Sequence, residues 1–186
     1  MSVSLEQIDL WTAFHKVGTE MIVTRAGRRM FPTLQYNVRG LLPDVSYELA
    51  IDFRPVATGD ASGDAEPPPR KFVHPQGAQR GALWTAQPVG FERIKLTNNQ
   101  LDDNGFIILN SMHRYVPRLL VNVHYDQASS DESRFETCAR FECCETAFMA
   151  VTAYQNHRIT QLKIASNPFA KGFRDDIDGW MPRSFY

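Results

Sequence analysis

The chain has 186 residues, 43% of them apolar and 22% charged, with a formal net charge of −1; this suits one soluble domain large enough to bury a core. No apolar run approaches the ~18 residues that a membrane-spanning helix needs, and Glu6 and Asp9 stand where the apolar part of a secretory leader would begin, so neither a membrane span nor a leader is expected. The three cysteines, Cys138, Cys143 and Cys144, are odd in number and lack C-x-x-C spacing, and the five histidines are scattered, which argues against a disulfide framework or a metal centre and for reduced thiols in an intracellular protein.

In chain order, Gln7 to Val17 carries Ile8, Leu10, Trp11, Phe14 and Val17 in a loose helical stripe. Extended signals follow. Met21 to Val23 is a short apolar run, Phe31 to Val38 alternates in part, and Tyr47, Leu49, Ile51 and Phe53 mark one face of a half-buried strand. Ala57 to Arg70, rich in Gly, Pro and small or acidic residues, reads as an exposed loop. Further strands are expected at Phe91–Leu96, Gly105–Leu109 and Arg118–Tyr125, with Asp103-Asn104-Gly105 offering hairpin-turn chemistry. Beyond a polar loop over Asp126–Ser133 come an alternating strand at Arg134–Cys143 and another at Ala147–Thr152, while Gln155–Ile164 fits helix or strand. Seven or more short strands with few helices indicate an all-β antiparallel sandwich, whose function sits on its end loops and termini.

Charge is unevenly spread. Lys16 to Arg39 holds five cations (Lys16, Arg25, Arg28, Arg29, Arg39) against Glu20 alone; Asp126 to Glu145 holds six anions against Arg134 and Arg140. A neutral protein can carry a basic face in this way, although ordinary surface charge gives the same pattern. The most specific segment is Asn167-Pro168-Phe169-Ala170-Lys171-Gly172-Phe173-Arg174. Asn167 is a good helix cap and Pro168 fits a first helical position. A short helix sets Phe169 and Phe173 on one face, with Lys171 and Arg174 close by. Rings flanked by cations suit a DNA minor groove, but an i,i+4 apolar pair more often faces a core, and spacing leaves both readings open.

Taken together, several segments resemble the DNA-binding domain of the T-box transcription factors: Glu20-Met21-Ile22-Val23-Thr24, Gly27-Arg28-Arg29-Met30-Phe31-Pro32, Lys95-Leu96-Thr97-Asn98-Asn99, Leu109-Asn110-Ser111-Met112-His113-Arg114-Tyr115, Glu145-Thr146-Ala147-Phe148, Val151-Thr152-Ala153-Tyr154-Gln155-Asn156 and Ile159-Thr160-Gln161-Leu162-Lys163-Ile164, followed by the Asn-Pro-Phe segment. Cys143-Cys144 stands where that family commonly has Phe-Pro, and Leu83 where it has His before Trp.

The resemblance implies a single domain over residues 1–186, with a core from about 10 to 176. It implies an immunoglobulin-like, p53-like β-sandwich with short C-terminal helices, in a nuclear regulator of RNA polymerase II genes that binds double-stranded DNA with a GGTGT-type core. It places Arg28 in the major groove, where a guanidinium can donate two hydrogen bonds to a guanine, and Phe169 and Phe173 in the minor groove with Ala170 between them. Thr160, Lys163, Lys171 and Arg174 are expected near the phosphates, which fix register rather than read sequence. Arg29 is left between a phosphate contact and an internal salt bridge, and Gly27 between a positive φ and a close approach to DNA. Tyr154, Gln155 and Asn156 are expected to pin a loop through hydrogen bonds, and His113 to be a polar core or hinge residue.

Other transcription factors, and a second copy on palindromic sites, are the expected partners. No cofactor, metal site, membrane contact or catalysis is expected. The alternatives are a protein-interaction sandwich that has lost DNA binding, and an enzyme using a Cys/His pair such as Cys138 or Cys143 with His113.

Overall fold

The computed structural model describes residues 1–56, 69–125 and 134–173, with residue 134 and residues 171–173 described by backbone alone. The loops expected over Ala57–Arg70 and Asp126–Ser133 therefore fall almost wholly outside the described residues, as does Arg174.

The chain opens with strand β1 (Ser2–Leu5) and helix α1 (Ile8–Val17), then β2 (Glu20–Ile22), β3 (Arg28–Arg29), β4 (Gln35–Arg39) and β5 (Ser46–Pro55). Next come β6 (Lys71–Val73), β7 (Gln79–Arg80), helix α2 (Gly81–Ala86), β8 (Val89–Gly90), β9 (Lys95–Thr97) and β10 (Ile107–Ile108). The long strands β11 (Arg114–Tyr125) and β12 (Arg134–Glu142) precede β13 (Phe148–Val151), helix α3 (His157–Ser166) and 3-10 turns over Pro168–Phe173.

The largest sheet runs β2-β13-β11-β5-β6, with β12 also on β11 and β7 on β5; smaller sheets run β1-β4-β8 and β10-β9-β3. All three contribute to one buried core, including Leu49, Ile51, Leu119, Val121 and Phe148 from the large sheet, Tyr36, Val38 and Val89 from the second and Leu96 and Ile107 from the third. Trp11 of α1 joins that core and Phe14 beside it is fully buried. This is an all-β, immunoglobulin-like sandwich of the p53-like kind.

Local chemistry explains where the strands depart from expectation. β11 starts at Arg114 and runs through Pro117. That proline sits opposite Phe53 of β5, and on the other side of β11 it falls in the gap between the β13 pairing, which ends at Tyr115, and the β12 pairing, which starts at Arg118, so its missing N–H interrupts neither of those two ladders. The even alternation of β12 is broken by a bulge: Val121 faces Ala139 and Asn122 faces Thr137, with Cys138 left between and its thiol on the Val121 carbonyl. Phe141 consequently packs on the core while Phe135 turns outward against His124.

Asp103-Asn104-Gly105 does not close a hairpin. β9 and β10 are parallel (Ile107 opposite Leu96, Ile108 opposite Thr97), so residues 98–106 form a crossover loop built around buried Asp102. Helix α2, which the periodicity does not announce, places Trp84 in the core with its indole N–H on the Tyr47 carbonyl. The ambiguous Gln155–Ile164 stretch is helical from His157.

Phe148 is fully buried and meets Phe53 edge-on at 6.0 Å. Phe148→Ala should therefore cost about 3–5 kcal/mol, read as a lower urea midpoint with an unchanged slope.

Candidate nucleic-acid interface

Two elements distant in sequence build the candidate surface. The first is the turn leading into β3. The Thr97 hydroxyl, fully buried on β9, donates to the carbonyl of Thr24 at 2.8 Å, and the Gly27 N–H donates to the same carbonyl at 3.1 Å. Gly27 has φ +76°, open to glycine at little cost. It also lies close against another group, which is the ring of Phe106 from the crossover loop.

Arg28 and Arg29 follow, both exposed, with Arg28 opposite Leu96 and Arg29 opposite Lys95. Among the described residues Arg29 forms no ion pair. Like charges directly opposite across strands repel, and the Arg29–Lys95 pair concentrates positive charge beside the turn. Lys95 was legible as part of a motif, but its place next to Arg29 depends on strand register, which the sequence does not display.

The second element is α3. The Glu20 carboxylate, buried at the start of β2, accepts the backbone N–H groups of Gln155 (2.9 Å) and Asn156 (3.2 Å). Asn156 caps the helix: its side-chain oxygen accepts from the Arg158 N–H at 3.0 Å, and its amide donates to the Val17 carbonyl at 2.9 Å. Asn156 thus pins the loop as expected. Thr160 is half-buried one turn into the helix.

Lys163, one of the expected phosphate contacts, is turned inward by the fold. Its side chain is buried, with Nζ 2.5 Å from the Phe31 carbonyl oxygen, 3.4 Å from the Met21 sulfur, and 5.5 and 5.4 Å from the ring centroids of Phe14 and Tyr154. Burial first, and then the charge of Arg28, push the Lys163 ammonium down to about 7, against a smaller upward pull from Glu20. Burial likewise raises Tyr154, and Arg28 partly offsets it. Lys163 thereby ties α3 to the segment that follows Arg28 and Arg29, through the Phe31 carbonyl.

Helix α3 runs directly into the Asn-Pro-Phe segment. The Asn167 N–H closes on the Lys163 carbonyl at 2.9 Å, and the Asn167 side-chain oxygen accepts from the Phe169 N–H at 3.0 Å, the cap expected of it. The segment winds as 3-10 turns with a kink at Ala170 rather than as a regular helix. Phe169 is 96% exposed and takes no part in the core; Ala170 is half-buried. The side chains of Lys171 and Phe173, and the whole of Arg174, lie outside the described residues. An exposed phenyl group on a capped turn can release about 1.5–3 kcal/mol when a ligand covers it.

Among the described residues the thiols bond to a backbone carbonyl and a carboxylate. Cys138 donates to the Val121 carbonyl, and Cys143 and Cys144 both donate to the Glu145 carboxylate, while His113 Nδ1 lies 3.0 Å from the Ser111 carbonyl oxygen. Burial, helped by the hydrogen bond to Glu145, pushes the Cys143 thiol up to about 11, away from the thiolate that nucleophilic chemistry needs. Among the described residues no cluster of His, Cys, Asp and Glu is arranged for a metal, and no helix is long and apolar enough to cross a membrane.

Comparison with known proteins agrees with this geometry. Residues 3–175 match the T-box family model. The chain is 51% identical to the T-box transcription factor TBX1 of Danio rerio over 99% of this chain and 43% of that protein. It is 50% identical to the T-box transcription factor TBX10 of Homo sapiens, over 97% of this chain and 50% of that protein. With the T-box transcription factor mls-1 of Caenorhabditis elegans the identity is 49%, covering 93% and 71% of the two. The chain belongs to the T-box family. It spans about half the length of the first two of these relatives. The family is one of transcription factors rather than enzymes, which sets the Cys/His reading aside.

The buried lysine gives a signed pH prediction. With the folded value near 7 and the ordinary value at 10.5, the unfolded chain binds the extra proton between those limits, so this group's contribution to stability rises with pH across that window and is least favourable below it. Lys163→Met removes the charge and keeps the length. Its urea midpoint should exceed that of the parent at pH 6, and the advantage should shrink towards pH 10; a difference independent of pH would contradict the assignment.

Proposed function

We propose that this chain is the sequence-specific, double-stranded-DNA-binding domain of a nuclear transcription factor acting on RNA polymerase II genes, with a GGTGT-type core as its target. Arg28 donates to a guanine in the major groove. Phe169 and Phe173 enter the minor groove around Ala170. Arg29, Thr160, Lys171 and Arg174 meet the backbone phosphates, joined by Lys95, while Lys163 serves the same interface from inside by seating α3.

A single observation carries this reading. The segment that carries Arg28 is tied to α3 through Lys163 Nζ on the Phe31 carbonyl at 2.5 Å, and the C-terminal extension of that same helix presents Phe169, bare to solvent. A base-reading cation and an apolar wedge are thus parts of one supported surface, as recognition through both grooves requires. The relatives named above are transcription factors, which supports the same role here. A second copy on palindromic sites and other transcription factors are the natural partners of such a domain.

Arg28→Ala tests the base-reading role. It should weaken binding to a GGTGT duplex by about 1–3 kcal/mol and relax base preference, measured by fluorescence anisotropy beside a scrambled duplex. Equal losses on both duplexes would remove Arg28 from base reading.

A further inference from the structure

The turn before Arg28 rests on a ring that does not belong to the proposed DNA contacts. A Cβ placed on Gly27 would lie 2.5 Å from Cδ2 and 2.7 Å from Cε2 of Phe106, closer than such atoms approach, so the glycine backbone lies close against the phenyl group. The other side of the turn is held by the Thr97 hydroxyl on the Thr24 carbonyl. Lys95, on the strand paired with Arg28 and Arg29, places its ammonium 4.9 Å from the centroid of the same ring. One half-buried side chain therefore touches both the turn that delivers Arg28 and the lysine beside Arg29.

Phe106 is itself fixed from behind. Its N–H donates to Asp102 Oδ2 at 2.9 Å, and its carbonyl accepts from Arg70 Nη1 at 3.0 Å. Arg70 closes the unit with bonds to Asp102 Oδ2 (2.8 Å) and to the Asp102 carbonyl (2.5 Å), and Asn104 donates to Asp102 Oδ1 at 3.1 Å. The Asp102 side chain is fully buried; burial alone would raise its carboxyl, and these hydrogen bonds outweigh that and hold it below the ordinary carboxylate range. These bonds hold the Phe106 backbone at both its N–H and its carbonyl.

We propose that Phe106 is a positioning residue for base reading: it fixes the Gly27 turn so that the Arg28 guanidinium reaches the groove already aimed, with the Arg70–Asp102 pair holding the ring in place. A bidentate bond to guanine is directional, and a support that removes conformational freedom before binding strengthens the specific complex more than the nonspecific one. This inference rests on the reading of Arg28 as the guanine contact and adds a residue that never touches DNA.

The test is a double-mutant cycle. Anisotropy binding is measured for the parent, Arg28→Ala, Phe106→Ala and the double variant, on a GGTGT duplex, on a scrambled duplex, and on GGTGT duplexes carrying 7-deazaguanine at single positions. Phe106→Ala should lower the preference for GGTGT by about tenfold while changing affinity for scrambled DNA by no more than about twofold, and it should cause no further loss of preference in the Arg28→Ala background. It should also abolish the parent's sensitivity to the 7-deazaguanine that matters most. Phe106→Leu, which keeps apolar bulk but not the flat ring, should act in the same direction and keeps the test valid if the alanine variant unfolds. Equal losses on both duplexes, or additive losses in the double variant, would overturn the positioning role while leaving Arg28 as reader. An unchanged preference in Arg28→Ala alone would overturn the reader and the positioning role together.

Discussion

The buried Glu20 carboxylate is the constraint on which the rest of the candidate surface depends. A carboxylate removed from water must be satisfied, and here the partners are the N–H groups of Gln155 and Asn156, immediately before α3. That requirement ties the second strand of the chain to a helix near its C-terminal end. It sets where α3 begins, and therefore where Lys163 is buried, where Asn167 caps and where Phe169 emerges. The exposed phenyl group is placed by a polar contact at the opposite end of the helix.

Arg28 joins the same arrangement through charge. Lys163 lies among Phe14, Tyr154 and the Phe31 carbonyl, and Arg28 is close enough to depress it further. Arg29 and Lys95, opposite each other on β3 and β9, are mutually unfavourable in the free protein, and that cost is offset when a polyanion covers the surface. A domain with net charge −1 can then still favour DNA, because the charge that matters is local. The acidic stretch from Asp126 to Glu145 belongs to a different part of the chain, including β12 on the flank of the large sheet.

Much of the fold was legible because period and burial coincide. The stripe Ile8–Trp11–Phe14 is α1, and the alternation from Tyr47 to Phe53 is the centre of β5. The cap chemistry of Asn167 appears as read. What was not legible depends on contacts between distant residues. The parallel pairing of β9 with β10 cannot be seen in Asp103-Asn104-Gly105, whose local chemistry suits a hairpin; the buried Asp102 decides the matter, and an aspartate gives no sign in the sequence that it will be buried. Lys163 looks like any helix-surface cation until Glu20 fixes the orientation of α3. The ring beneath Gly27 is equally hidden, since a glycine tells of a close approach without naming the neighbour. The bulge at Cys138 inverts an alternation that reads as regular.

We propose a nearly neutral sandwich that reads a base sequence through one supported surface. This is tested most directly by equilibrium binding of the unmodified protein to a short GGTGT duplex and to a scrambled duplex at two salt concentrations. Tight binding that weakens with salt, as expected when phosphate counterions are released, together with a clear preference for the GGTGT duplex at both concentrations, is the predicted result. Weak binding without preference by a folded domain would contradict it, and would favour a sandwich that keeps the T-box fold for protein partners alone.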